Sequence, residues 1–339
     1  MKINTKHIGL CLLLGAAMST TSCNDLLDLD PVSQITPESF YTSADQLATY
    51  LNNYYSSYLV APYSGEMYHT QSYSDGMARS DGNTDIMLAG LNGNTTLFAD
   101  DHWEVSSGKA LQGYYGGVRV YNYFLDKAVT GYENGTITGD AELIKNYIGE
   151  GYFFRALCYF RMLAYYGDLP IVTKVLEDND EVIVENSKRT PRNEVARFII
   201  SDLDKAYAYM SDVDMATTRI NKDVAMLVKS RVALFEATWL QNFKGTAFVP
   251  GGEGWPGASL HNNYQYPSGN IDNEVKYFLE QAVEASKLVA DKYKGNLTEN
   301  TGVLQQSADD PSNPYFDMFA QEDLSDVKEV LLWLQYARG

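Results

Sequence analysis

The sequence predicts an all-α-dominated fold, with tetratricopeptide-like helical hairpins stacked on one another, long loops and few short strands. Two observations carry this. Six segments place apolar residues at helical period behind recognisable start signals. Helix starts near residues 107 and 140, and again near 190 and 221, lie 33 and 31 residues apart. That is close to the roughly 34-residue period of stacked helical hairpins. The strict tetratricopeptide consensus is absent.

Ser43 to Tyr58 opens with Ser43 and Gln46 in capping-box register and carries Leu47, Leu51, Tyr54 and Tyr58 on one stripe. Ser107 to Val129 follows with Leu111, Tyr115, Val118 and Leu125. Asp140 to Tyr166 is the longest, with Leu143, Tyr147, Ala156, Tyr159 and Leu163 inward, and it stops at Gly167 with Pro170 beyond. Thr190 to Met210 reads with Thr190 as N-cap and Pro191 as first helical residue. Asn221 to Leu240 and Asp272 to Tyr293 complete the set. Val330 to Tyr336 reads as a strand, and Leu169 to Thr173 as a second short one. Residues 63–105, 244–271 and 294–326 are expected to be long loops, a length usually tied to function.

Composition narrows the function. The chain of 339 residues has 44 acids against 26 bases, net −18, which argues against nucleic acid as a partner. Four His and three Cys leave little room for a zinc site. No metal-protease, serine-hydrolase, phosphate-loop or dinucleotide motif occurs, so no cofactor is expected. Asp81, Asn83 and Asp85 begin like a calcium loop, but Ile86 stands where Gly is needed and Asn92 where the bidentate Glu should be. A glycosidase needs two carboxylates about 5 to 9.5 Å apart, and Asp100 with Asp101 beside Trp103 is the nearest approach to one. A binding protein is the better expectation than an enzyme.

Lys2, Lys6 and His7 precede the apolar run Ile8 to Ala17, too short to span a bilayer but suited to a secretion signal. Small polar residues then lead to Cys23. This is similar to a bacterial lipoprotein signal, with Thr20 where Leu is usual, and implies cleavage after residue 22 and acylation of Cys23. Losing residues 1–22 removes two Lys, one Cys and no acids, leaving 44 acids against 24 bases, net −20. Cys158, on an apolar helical stretch, reads as a small buried hydrophobe.

The 26 Tyr fall largely on helical stripes, so they argue for packing rather than for sugar binding. Trp103 and Trp255 differ because they sit in polar or Gly/Pro-rich loops. Either ring could stack on the C–H face of a sugar or pin its loop to the helices. Both are candidate glycan-binding residues. Trp239 and Trp333 are expected in the core. Arg155, among apolar neighbours, requires a buried partner.

Several stretches together resemble the SusD/RagB family of outer-membrane lipoproteins of Bacteroidota. They are Cys23-Asn-Asp-Leu-Leu-Asp-Leu-Asp-Pro31, Glu150-Gly-Tyr-Phe-Phe-Arg-Ala156, Tyr166-Gly-Asp-Leu-Pro170, Thr190-Pro-Arg-Asn-Glu194, Lys222 to Trp239, and Lys328-Glu-Val-Leu-Leu332. The resemblance implies a signal peptide at 1–22 and a SusD-like domain at 23–339. It implies a surface-exposed protein, lipid-anchored in the outer membrane, that binds an oligosaccharide or other nutrient and delivers it to a SusC-like TonB-dependent transporter. It implies no catalysis. Family members usually continue past the strand expected near Tyr336, so a chain incomplete at its C-terminus is expected. A helical-repeat scaffold without a glycan site, and a surface glycosidase, are the competing readings.

Overall fold

A computed structural model describes residues 40–58, 83–84, 87–88, 109–211, 216–304, 307, 309–333 and 335. The chain divides into two units, Met1–Tyr41 and Thr42–Gly339, and every helix named below belongs to the second.

Among the described residues eight α-helices form, and single capping residues set where most of them begin. At the start of α1 (Ala44–Tyr58) the Ser43 hydroxyl accepts from the Gln46 amide at 3.3 Å, and the Gln46 side chain accepts from the Ser43 amide at 3.2 Å. This is the expected capping box. Two short strands, β1 (Asn83–Thr84) and β2 (Met87–Leu88), pair antiparallel within a stretch expected to be loop. Helices α2 (Lys109–Glu133) and α3 (Ala141–Tyr166) follow, with the Asp140 carboxylate capping two amides at the start of α3. Gly167 ends α3 at φ 70°, backbone that costs glycine little and other residues more.

Two seven-residue helices, α4 (Asp180–Asn186) and α8 (Pro314–Ala320), form where no helical period was evident, capped by Asn179 and Asn313. Helices α6 (Lys222–Asn242) and α7 (Ile271–Tyr293) begin behind Asn221 and Asn270. Helix α5 (Arg192–Tyr209) starts one residue later than the sequence suggested, with Pro191 rather than Thr190 at the cap. Thr190 is drawn instead into an antiparallel bridge with Leu169, and Asp168 supplies the cap by accepting from the Arg192 amide at 2.8 Å.

The long helices make an array in which α2 packs on α3, α3 on α5, α5 on α6 and α6 on α7, with α1 also against α3. Helix α3 is the centre, and between Ile144 and Leu163 nearly all of it is buried, including Phe153, Phe154, Leu157, Tyr159 and Met162. Gly149 and Gly151 permit this closeness: a Cβ at Gly149 would stand 2.9 Å from the Ala206 carbonyl, and one at Gly151 would stand 2.6 Å from the Phe124 ring. Cys158 is buried on the same helix, as expected.

Buried ion pairs cross between helices. Arg155 of α3 meets Asp202 of α5 in two bonds of 2.7 and 2.9 Å. Arg192 of α5 pairs with Glu236 of α6, and Arg197 of α5 with Glu274 of α7. Arg219, in the turn before α6, reaches Glu150 of α3 at 2.6 and 2.9 Å.

Among the described residues neither expected strand forms as read; 334 and 336 lie outside them. Residues 330–333 and 335 pair with no strand; the Trp333 amide donates to the Thr217 carbonyl at 3.0 Å, and the Asn221 side chain takes the Leu331 carbonyl. Their partners belong to a turn and a cap, which offer no ladder. The stretch 169–173 contributes only the Leu169–Thr190 bridge, because Pro170 has no amide hydrogen and side chains engage the backbone beyond it.

Candidate functional site

Beyond Gly167 the chain runs past α2, with a bend at Lys174, before turning into α4. Its backbone is held from the core side. The Asn122 amide of α2 donates to the carbonyls of Val172 and Lys174 at 2.9 and 3.2 Å, and the Tyr159 hydroxyl accepts from the Val172 amide at 2.7 Å. The Tyr115 hydroxyl donates to the Pro170 carbonyl at 2.6 Å. Burial pushes the Tyr115 phenol well above its ordinary pKa, so it stays a neutral donor.

Pro170, Val172, Lys174 and Leu176, at alternate positions, line one wall of a groove of 650 Å³. Tyr115, Val118, Arg119 and Asn122 form the second wall, spaced so that they share one face of α2. Ile183, Asn186 and Ser187 of α4 and its end close the third, with Glu177 and Asp178 at the turn between. The volume falls within the roughly 300–1,000 Å³ of small-ligand sites. The groove is mainly apolar in its walls and carries charge of both signs at its rim.

A buried polar relay fixes this geometry. Asn122, 1 % exposed, accepts from Arg155 Nη1 at 3.0 Å while its own amide holds the groove wall. Arg155 is held in turn by Asp202. The partner that Arg155 required is therefore a structural one.

Trp255 lies in the loop after α6 and is 5 % exposed. Its indole N–H donates to Asp168 Oδ2 at 2.8 Å, and its ring is flanked by His261 and Tyr264 at 5.9 and 5.6 Å. Burial pushes the Asp168 carboxyl up, against the bonds from the Arg192 amide and the indole. The indole thus pins the loop to the corner that ends α3, and little of its face is open. Trp103 and Cys23, like Asp81, Asp85, Asp100 and Asp101, lie outside the described residues, while Asn83 sits in β1 opposite Leu88. Trp239 and Trp333 are half-buried rather than core. The Arg192 guanidinium lies 4.0 Å from the Trp239 ring centre, and Trp333 donates to the Thr217 hydroxyl. The groove was not foreseen from the sequence. Its one visible signal was Asn122, a polar residue among apolar neighbours of α2.

Residues 25–234 match the model of a SusD-like family described as starch-binding and associating with the outer membrane. Among curated proteins, SusD-like protein P2 of Formosa agariphila is 23% identical over 232 residues, covering 68% of this chain and 44% of the relative. SusD-like protein P25 of the same organism is 26% identical over 229 residues, covering 65% and 42%. The chain thus spans less than half the length of these curated relatives. A crystal structure of a SusD-like protein from Bacteroides fragilis is 26% identical, covers 64% of this chain and 39% of its own, and superposes with a TM-score of 0.40. With the family model matched over well over half of its residues, the chain belongs to the SusD-like family.

Proposed function

We propose that the protein is a glycan-binding lipoprotein of the outer membrane, anchored through an acylated Cys23, that captures oligosaccharides and passes them to a SusC-like TonB-dependent transporter. The observation that carries this reading is the family match over residues 25–234, which begins two residues after Cys23. The groove between α2 and residues 170–187 gives the reading a place for a ligand. Its role is binding, not catalysis. Trp103 is the ring proposed to meet sugar directly. Trp255 contributes through the loop that it anchors.

Isothermal titration of the protein against neutral oligosaccharides, with maltoheptaose first, tests the binding. Saturable heat without product formation is the expected result, and no heat with any glucan, mannan or xylan oligosaccharide would sink it. Labelling with radioactive palmitate tests the anchor, and the label should vanish in Cys23→Ser. Co-purification of a TonB-dependent transporter with the tagged lipoprotein tests the partner.

A further inference from the structure

The groove carries more than a volume. Its apolar surface comes from Val118, Val172, Leu176 and Ile183, and Ile183 is 40% exposed. Four charged side chains stand on its rim: Arg119, Lys174, Glu177 and Asp178. All four are exposed, and among the described residues none of them has an ion-pair or hydrogen-bond partner. The uncharged polar side chains of the lining already hold hydrogen bonds. Asn122 is used at both ends, the Tyr115 hydroxyl donates to the Pro170 carbonyl, the Asn186 amide to the Val182 carbonyl and the Ser187 hydroxyl to the Ile183 carbonyl. The uncommitted charged groups are thus two cations and two carboxylates beside apolar walls.

That set is selective by its chemistry. An anion would gain from Arg119 and Lys174 but meet Glu177 and Asp178, and a cation would meet the reverse. A neutral polyol satisfies both, because each hydroxyl donates to a carboxylate and accepts from a guanidinium or ammonium. A pyranose ring adds an apolar C–H face for the walls. We infer that the groove between α2 and α4 is a binding site for a neutral oligosaccharide, with Arg119, Lys174, Glu177 and Asp178 gripping its hydroxyls and Ile183 packing against a ring. This rests on the glycan-binding reading above and assigns it a site and a ligand class.

The test is titration of the full mature chain with maltoheptaose, laminarihexaose, cellohexaose and tetragalacturonate. The wild-type protein, Arg119→Ala and Ile183→Trp are compared, each checked for an unchanged melting temperature. Both substitutions fall on exposed side chains. Ile183→Trp fills the groove and Arg119→Ala removes a charged donor, so each should weaken the neutral ligand about tenfold or more. Tetragalacturonate should bind at least about tenfold more weakly than the best neutral probe. Wild-type binding that both variants retain in full overturns the groove while leaving the glycan-binding function standing. Preference for tetragalacturonate overturns the neutral class. Absence of binding to every probe overturns the site and the function together.

Discussion

Asn122 and Arg155, 33 positions apart in sequence, meet through an amide oxygen and a guanidinium nitrogen at 3.0 Å inside the helical array. The contact joins two kinds of structure. On one side is the Arg155–Asp202 pair that ties α3 to α5, and on the other is the wall of the groove formed beyond Gly167. The core therefore sets the groove wall's position.

Asn122→Leu keeps the branching of the side chain, with somewhat more bulk, and removes both functions of the amide. The carbonyls of Val172 and Lys174 lose a donor, and Arg155 loses an acceptor. An unsatisfied buried polar group costs about 1–3 kcal/mol, so the variant should lose stability of that order in urea unfolding. Its affinity for oligosaccharide should fall as well. Full stability with unchanged affinity would contradict the relay.

Arg155→Met should be harsher. It leaves the Asp202 carboxylate, which is fully buried, with Lys205 at 3.6 Å as its one remaining cation among the described residues. Breaking a buried pair from one side costs about 3–5 kcal/mol. Replacing both partners, as Arg155→Met with Asp202→Leu, should recover much of the loss. A double variant as unstable as the sum of the singles would argue against direct coupling.

Glu150 should make stability depend on pH. Burial pushes its carboxyl from 4.5 up to about 7, against the opposing pull of Arg219, Tyr55 and Asn146. The folded state then holds the proton more tightly than the unfolded chain does. Its contribution is fully present below pH 4.5 and declines as the pH rises through 7. Unfolding measured at about pH 5 and about pH 8 should show wild type losing more stability across the interval than Glu150→Gln. Parallel curves for the two proteins would disprove the assignment.

Trp255→Phe removes the indole donor and leaves the half-buried Asp168 with one fewer partner. The loop between α6 and α7 should open more often, at a cost of roughly 1 kcal/mol. Limited proteolysis should nick residues 244–270 faster in the variant, while cleavage elsewhere keeps its wild-type rate. Equal rates would show that the indole bond does not hold the loop.

The sequence made the long helices legible because their boundaries depend on local chemistry. Ser43 with Gln46, Asp140, Asn221 and Gly167 each act within a few residues of themselves. The start of α5 was misread because its cap comes from Asp168, 24 residues upstream. Helix α4 escaped notice because Val182, Ile183 and Val184 form a β-branched run, and only Asn179 announces it. The groove was hidden for a further reason. It depends on which carbonyls Asn122 meets, and those lie 50 and 52 residues away. For Trp255 the sequence left stacking on a sugar and pinning the loop both open, because the acceptor that decides between them is 87 residues upstream.

The central position of α3 has a consequence for synthesis. A chain that emerges N-terminus first, from the ribosome or across a membrane, presents α3 well before α5 exists to cover it. At roughly 5–20 residues per second the wait lasts some seconds. Throughout it the flank of α3 destined for α5 has no lasting partner, so the nascent chain is exposed to aggregation. Holdase chaperones should find their strongest footing there, on the stretch that the finished protein conceals most completely.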